Sequence, residues 1–263
     1  MRYNIFLFVC IIFITSCQKQ ENYADVQIIG HGGMGLNHLM SIYHDNTFES
    51  IELAMQYSGV DGIEVDVQMD LDGELWLYHD IDLSSCGVEG SVPEYNTEFL
   101  EELNYQTMKQ EKLCKLRDII YLFDSSKTLF IDIKAYPQSI GIVVDPIEFK
   151  NSLNNVISNV ECQIGVIIVN ASWIAHFIND YPTYLDSDSK SVIDNYFSLY
   201  PQLAGLFVRH ETLSRDDIQY YINQDWAIYL YNIRSVNKIR KALEKRPTGI
   251  LPDDIRRAII ETE

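Results

Sequence analysis

The chain has 263 residues, 47% of them apolar, enough for a sizeable core in one large domain or two small ones. Its 38 acidic residues against 20 basic ones give a formal net charge of -18. That balance argues against nucleic acid, which is bound by clustered Lys and Arg, and against electrostatic docking on anionic lipid headgroups.

At the start of the chain, Arg2 precedes an apolar stretch from Ile5 to Ile14 that is too short to span a bilayer, and Ile14-Thr-Ser-Cys17 offers small residues for processing. This start resembles a bacterial lipoprotein signal with its lipobox. The resemblance implies a signal over 1–17, lipidation of Cys17 and a tether over 18–25. It places the protein on the cell envelope, periplasmic or surface-facing, touching the membrane only through its anchor. No later segment is long and apolar enough to cross a membrane.

From residue 26 onward, strand-length apolar runs alternate with helix-like segments. Strands are predicted over 26–30, 60–68, 74–78, 128–133, 164–169, 204–208, 226–231 and 248–251. Several are continuously apolar, such as Gly165-Val-Ile-Ile-Val169, as expected of a strand buried on both faces. Helices are predicted from the capping sequence Asn46-Thr-Phe-Glu49 to Gly59, then over 113–124, 146–160, 190–200, 214–223, 235–245 and 253–261. Eight strands mostly separated by helices predict a single (β/α)8 barrel over 26–263. The alternative, an open doubly wound sheet, lacks its Gly-rich phosphate loop. The stretch at about 80–113 carries Gly87, Gly90 and Pro93, with a weak helical signal at 97–105, and reads as a loop insertion. Beyond the signal the thiols are Cys86, Cys114 and Cys162, with no zinc-ligand spacing. Cys86 and Cys114 either pair in an oxidising compartment or stand as isolated thiols.

Barrel enzymes place catalytic groups at the C-terminal ends of strands. The first strand ends at His31. The second carries Glu64 and Asp66, two positions apart and so on one side. The third ends at His79, and the fourth carries Asp132 and Lys134. Three carboxylates without equal positive charge call for a cation, and hard oxygen ligands select Ca²⁺ or Mg²⁺ over zinc. A cation beside a Lys and two His describes an oxyanion site. The histidines, near their ordinary pKa of about 6.5, can exchange protons with a nucleophile and a leaving oxygen.

His31-Gly-Gly33, Asn46-Thr47, Asp61-Gly-Ile-Glu64-Val-Asp66-Val, Asp72-Gly73, His79-Asp80 and Ile131-Asp-Ile-Lys134 together resemble the glycerophosphodiester phosphodiesterase family. The detailed match covers about residues 28–134; beyond it lie only Tyr229-Leu-Tyr-Asn232 and the strand ending in Pro252-Asp253. The resemblance implies a barrel, a divalent metal, and hydrolysis of small-molecule glycerophosphodiesters to glycerol 3-phosphate and an alcohol. Carried over by position, His31 and His79 are the acid/base pair, Glu64, Asp66 and Asp132 ligate the metal, and Lys134 holds phosphate. Gly32 stands where the family has Arg, so a guanidinium clamp on phosphate is missing. His44 and Asp45 stand where Pro and Glu are usual, and Asp132 shortens the family's Glu by one methylene. Gly32 and Asp132 motivate an alternative function, a surface lipoprotein that binds a phosphorylated ligand without turnover, although a pure binder needs neither histidine. A phospholipase-like phosphodiesterase acting on intact lipid is a third reading.

Overall fold

A computed structural model describes residues 22–36, 42–135, 143–158 and 160–263. The predicted signal with Cys17 lies outside the described residues. The chain forms β1 (Gln27–His31), α1 (Phe48–Met55), β2 (Gly62–Met69), β3 (Leu75–Leu77), α2 (Thr97–Glu101), β4 (Cys114–Lys115), α3 (Leu116–Ile119), β5 (Thr128–Ile133), α4 (Pro146–Ile157), β6 (Gln163–Ile168), α5 (Ile174–Phe177), β7 (Thr183–Asp186), α6 (Lys190–Leu199), β8 (Gly205–Arg209), α7 (Arg215–Ile222), β9 (Ala227–Ile233), α8 (Val236–Leu243), β10 (Gly249–Pro252) and α9 (Ile255–Thr262). Strands β1, β2, β5, β6, β7, β8, β9 and β10 pair in parallel in that order, and β10 returns to β1. The result is a closed eight-stranded (β/α)8 barrel, as predicted. No described helix is long and apolar enough to cross a membrane.

One predicted stave is wrong and one true stave was not predicted. The segment predicted over 74–78 is not a barrel strand. It forms β3, antiparallel to the end of β2, with Val67 opposite Leu77 and Met69 opposite Leu75. The missing stave is β7, Thr183–Asp186, where only Tyr184 and Leu185 are apolar and Ser, Asp and Ser follow, so no hydrophobic run announces it. The hairpin follows from the length of β2. Its eight residues outrun β1, which pairs only as far as Glu64, and β3 occupies the edge that β1 leaves open.

The predicted loop insertion is a small substructure on this hairpin, with its own apolar cluster of Trp76, Tyr78, Leu83, Val92, Leu100, Tyr105 and Leu113. Buried Asp70 ties it together, accepting from the backbone N–H of Asp72 and Glu74, the Trp76 indole at 2.8 Å and the Thr97 hydroxyl at 2.6 Å. The predicted helix 113–124 shortens to α3 and one 3₁₀ turn, and the signal at 97–105 to α2. Cys86, Cys114 and Cys162 are free thiols, so Cys86 and Cys114 take the unpaired alternative.

The barrel interior is closed by a plug of Ile29, Phe130, Ile167, Tyr184, Phe207, Tyr229 and Leu251. Gly165 carries no side chain because a Cβ there would lie 2.7 Å from the Phe130 ring. The alternate residues of the same strands, such as Ile28, Ile131, Val166, Leu185, Leu206 and Leu230, face the helices and join the larger outer core.

Candidate active site

The plug sets the floor of a cavity of about 310 Å³ at the C-terminal mouth of the barrel. Side chains two positions apart share a face of a strand, so for six of the seven plug residues the next inward residue lines the mouth, while Ile167 lines it itself. Ile29 is followed by His31, Phe130 by Asp132, Tyr184 by Asp186, Phe207 by Arg209, Tyr229 by Tyr231 and Leu251 by Asp253. Glu64 and Asp66 enter from β2, and Lys134 from just past β5.

The two histidines reach one edge of β2 from opposite directions. β1 ends at His31 beside Glu64, and the following Gly32 N–H donates to the Glu64 carbonyl at 2.9 Å. β3 returns along that edge until the Tyr78 N–H donates to the Asp66 carbonyl at 2.9 Å, which leaves His79 at the mouth. The sequence-predicted group of His31, Glu64, Asp66, His79, Asp132 and Lys134 is thus brought into a single cavity.

Oxygens of Glu64, Asp66 and Asp132 lie within 4.8 Å of one another, and all three residues are buried. The Lys134 ammonium sits 3.0 Å from Asp66 and 2.6 Å from Asp132. Asp66 is fixed further by Asn46, whose amide donates to its carboxylate at 2.7 Å and whose carbonyl oxygen accepts the Asp66 N–H at 3.0 Å. Burial pushes the Glu64 carboxyl well above its ordinary pKa, and the negative charges of Asp66 and Asp132 add to the effect. Asp132 is also raised, by burial and by Asp66, against the pull of Lys134. Burial works on Asp66 too, yet Lys134, His79 and His31 outweigh it and hold this carboxyl low. Asp186 is pushed up to about 7 by burial and the nearby Asp132. One ammonium is therefore insufficient for this cluster. Asp132 Oδ1, moreover, is buried with no hydrogen-bond partner. Three buried carboxylates, one with an idle oxygen, are a donor set that fits a hard divalent cation.

The His79 Nδ1–H donates to the Asp80 carboxylate at 2.9 Å. Burial alone would lower its pKa, but Asp66 and the hydrogen bond to Asp80 prevail and raise it.

Gly32 cannot be an arginine in this turn. It has φ +55, its carbonyl accepts the Asn46 N–H at 2.8 Å, and a Cβ would lie 2.7 Å from the Asp45 Cβ. Gly32→Ala is expected to lower stability by about 1–3 kcal/mol, seen as a lower midpoint in thermal unfolding. Cationic side chains reach the mouth from elsewhere: Arg209 at the end of β8, paired with Asp188 at 2.6 Å, and Arg234 just after β9. Asp186, Arg209 and Arg234 are mouth residues that the sequence reading did not name, and Tyr231 and Asp253 entered it only within the family resemblance, with no role assigned. The two-residue step beyond inward apolar positions (Tyr184, Phe207, Tyr229 and Leu251) is the signal that would have found four of them, and Arg234 lies beyond its strand.

A (β/α)8 barrel with an acidic cluster, a lysine and two histidines at its mouth is the class of a phosphoric diester hydrolase. The model of the glycerophosphoryl diester phosphodiesterase family matches residues 31–257, and the chain belongs to that family. No curated protein sequence is matched. Among solved structures, a phosphodiesterase from Oleispira antarctica, in complex with the product sn-glycerol-3-phosphate, is 16% identical with a TM-score of 0.75, over 89% of this chain and 96% of that one. A glycerophosphodiester phosphodiesterase from Thermotoga maritima is 17% identical with a TM-score of 0.69, over 88% and 95%. A glycerophosphoryl diester phosphodiesterase from Parabacteroides distasonis is 16% identical with a TM-score of 0.68, over 90% and 86%. These likenesses show the shared barrel.

Proposed function

We propose that the protein hydrolyses glycerophosphodiesters to glycerol 3-phosphate and an alcohol with the help of a divalent cation, Ca²⁺ or Mg²⁺. The observation that carries this reading is the convergence of Glu64, Asp66 and Asp132 within 4.8 Å, in the cavity that also holds both histidines and Lys134. Glu64, Asp66 and Asp132 would hold the cation, which when bound supplies charge neutralisation for phosphate oxygens. Lys134 adds a second positive charge to the same oxyanion. His31 and His79 flank the cluster from the β1 and β3 sides. One takes the proton of the attacking hydroxyl while the other protonates the departing alkoxide. By the family resemblance the attacker is the substrate's own glycerol hydroxyl, and water then opens the cyclic phosphate with the histidine roles reversed. The substrate is a small molecule, and the anchor at Cys17 would hold the enzyme on the envelope.

Release of glycerol 3-phosphate from a panel of glycerophosphodiesters tests the metal requirement. Activity is expected to vanish in excess chelator and to return on adding Ca²⁺ or Mg²⁺. Full turnover in chelator would remove the cation from the reading.

A further inference from the structure

We propose that Asp253 positions His31 for proton transfer, a role that rests on the phosphodiesterase reading above. Asp253 closes the mouth just past β10 and is 5% exposed. Its Oδ1 lies 3.6 Å from His31 Nδ1. Both atoms are buried, and neither has a hydrogen-bond partner. Two orphaned buried groups of opposite polarity, each costly to leave unpaired, face one another across a gap. A shift of about half an ångström makes a hydrogen bond of it, and catalytic hydrogen bonds are commonly long before substrate tightens them.

The surroundings aim the pair. The Asp253 N–H donates to the Ile233 carbonyl at 3.0 Å, which fixes the backbone. Gly35, in the turn that follows His31, packs so closely on Asp253 that a Cβ would lie 2.5 Å from the Asp253 carbonyl oxygen. The segment bearing His31 is thereby locked to the segment bearing Asp253. The other carboxylate oxygen, Oδ2, faces the Arg234 guanidinium at 3.7 Å, leaving Oδ1 for the imidazole.

The consequence is a tautomer. With its proton on Nδ1, His31 donates to Asp253 and keeps the Nε2 lone pair for the substrate. Nε2 is the atom on the Glu64 side, 3.9 Å from that carboxylate. The opposite tautomer would point the Nδ1 lone pair at a carboxylate oxygen. His79 has the same arrangement with Asp80, but there both partners are about half exposed, so the buried Asp253 is the firmer orienter.

The test combines nitrogen NMR with kinetics. Histidine-labelled protein has six imidazoles, and His31→Gln identifies the signal of interest. At a pH of about 8, above ordinary imidazole titration, His31 is expected to carry its proton on Nδ1. Asp253→Asn is expected to abolish that preference and to lower kcat by about 10²-fold or more with KM within a few-fold. In the His31→Gln background, Asp253→Asn should cost nothing further, as for groups that act as one unit. A wild-type His31 protonated on Nε2, or an Asp253→Asn enzyme with unchanged tautomer and kcat, overturns the proposal. If Asp253→Asn fails to fold, the wild-type tautomer still decides. A wild-type protein that cleaves no glycerophosphodiester overturns the functional reading instead, while the NMR arm continues to judge the pairing.

Discussion

His79→Ala is expected to lower kcat on a glycerophosphodiester by about 10²- to 10⁴-fold, the range lost when a positioned acid or base is removed. The side chain stands at the mouth because β3 runs back along the free edge of β2 and ends one residue before Tyr78 binds the Asp66 carbonyl. His31 is not placed to take over, since it approaches from the other strand and holds a different place against Glu64. The raised pKa of His79 keeps more of it protonated near neutral pH than an ordinary imidazole, which suits a proton donor. A donor loses its proton as pH rises through its pKa, so His79 should set the alkaline limb of the rate profile. Asp80→Asn removes one of the groups that raise it, and the limb should move to lower pH. Steady-state kinetics across pH measures both effects. A His79→Ala enzyme with wild-type kcat would remove the residue from the mechanism.

Phe130→Ala is expected to cost about 3–5 kcal/mol of stability, the usual result of deleting a fully buried aromatic ring. The ring is 1% exposed at the centre of the plug, edge-on to Tyr184, Phe207 and Tyr229 at centroid distances of 5.4, 5.1 and 4.9 Å. Gly165 leaves room for it from the adjacent strand, so truncation would open a void bounded by rigid staves. Such a loss should lower the melting temperature by roughly 10 °C in a domain of this size. Phe130 also underlies Asp132 on β5, so the damage would reach the floor of the acidic cluster. A calorimetric scan gives the answer, and a shift of only a degree or two would mean that the plug repacks.

The barrel and half of its mouth were legible for a physical reason. Strands buried on both faces read as apolar runs, and ionisable residues at their ends, such as His31 and Asp132, stand out against that background. The His79 prediction reached the right residue through a wrong element, since β3 is a hairpin strand and not a stave. β7 was illegible because its four residues include Thr and Asp, and Asp186 was lost with it. Arg209 lies one residue past its predicted strand, which ended at 208, and Asp253 was read as the start of a helix. What the sequence could not reveal is pairing across the closed barrel. That His31 on the first stave meets Asp253 beyond the last depends on β10 closing onto β1.

Phosphorus NMR of a glycerophosphodiester such as glycerophosphoethanolamine, incubated with the protein and Ca²⁺ or Mg²⁺, tests the central claim most directly. The diester resonance should be replaced by that of glycerol 3-phosphate, and the conversion should stop in Asp66→Asn, whose parent carboxylate the cluster is built around. A diester signal that persists with either cation across the substrate panel, or conversion that continues unchanged in Asp66→Asn, would contradict the account.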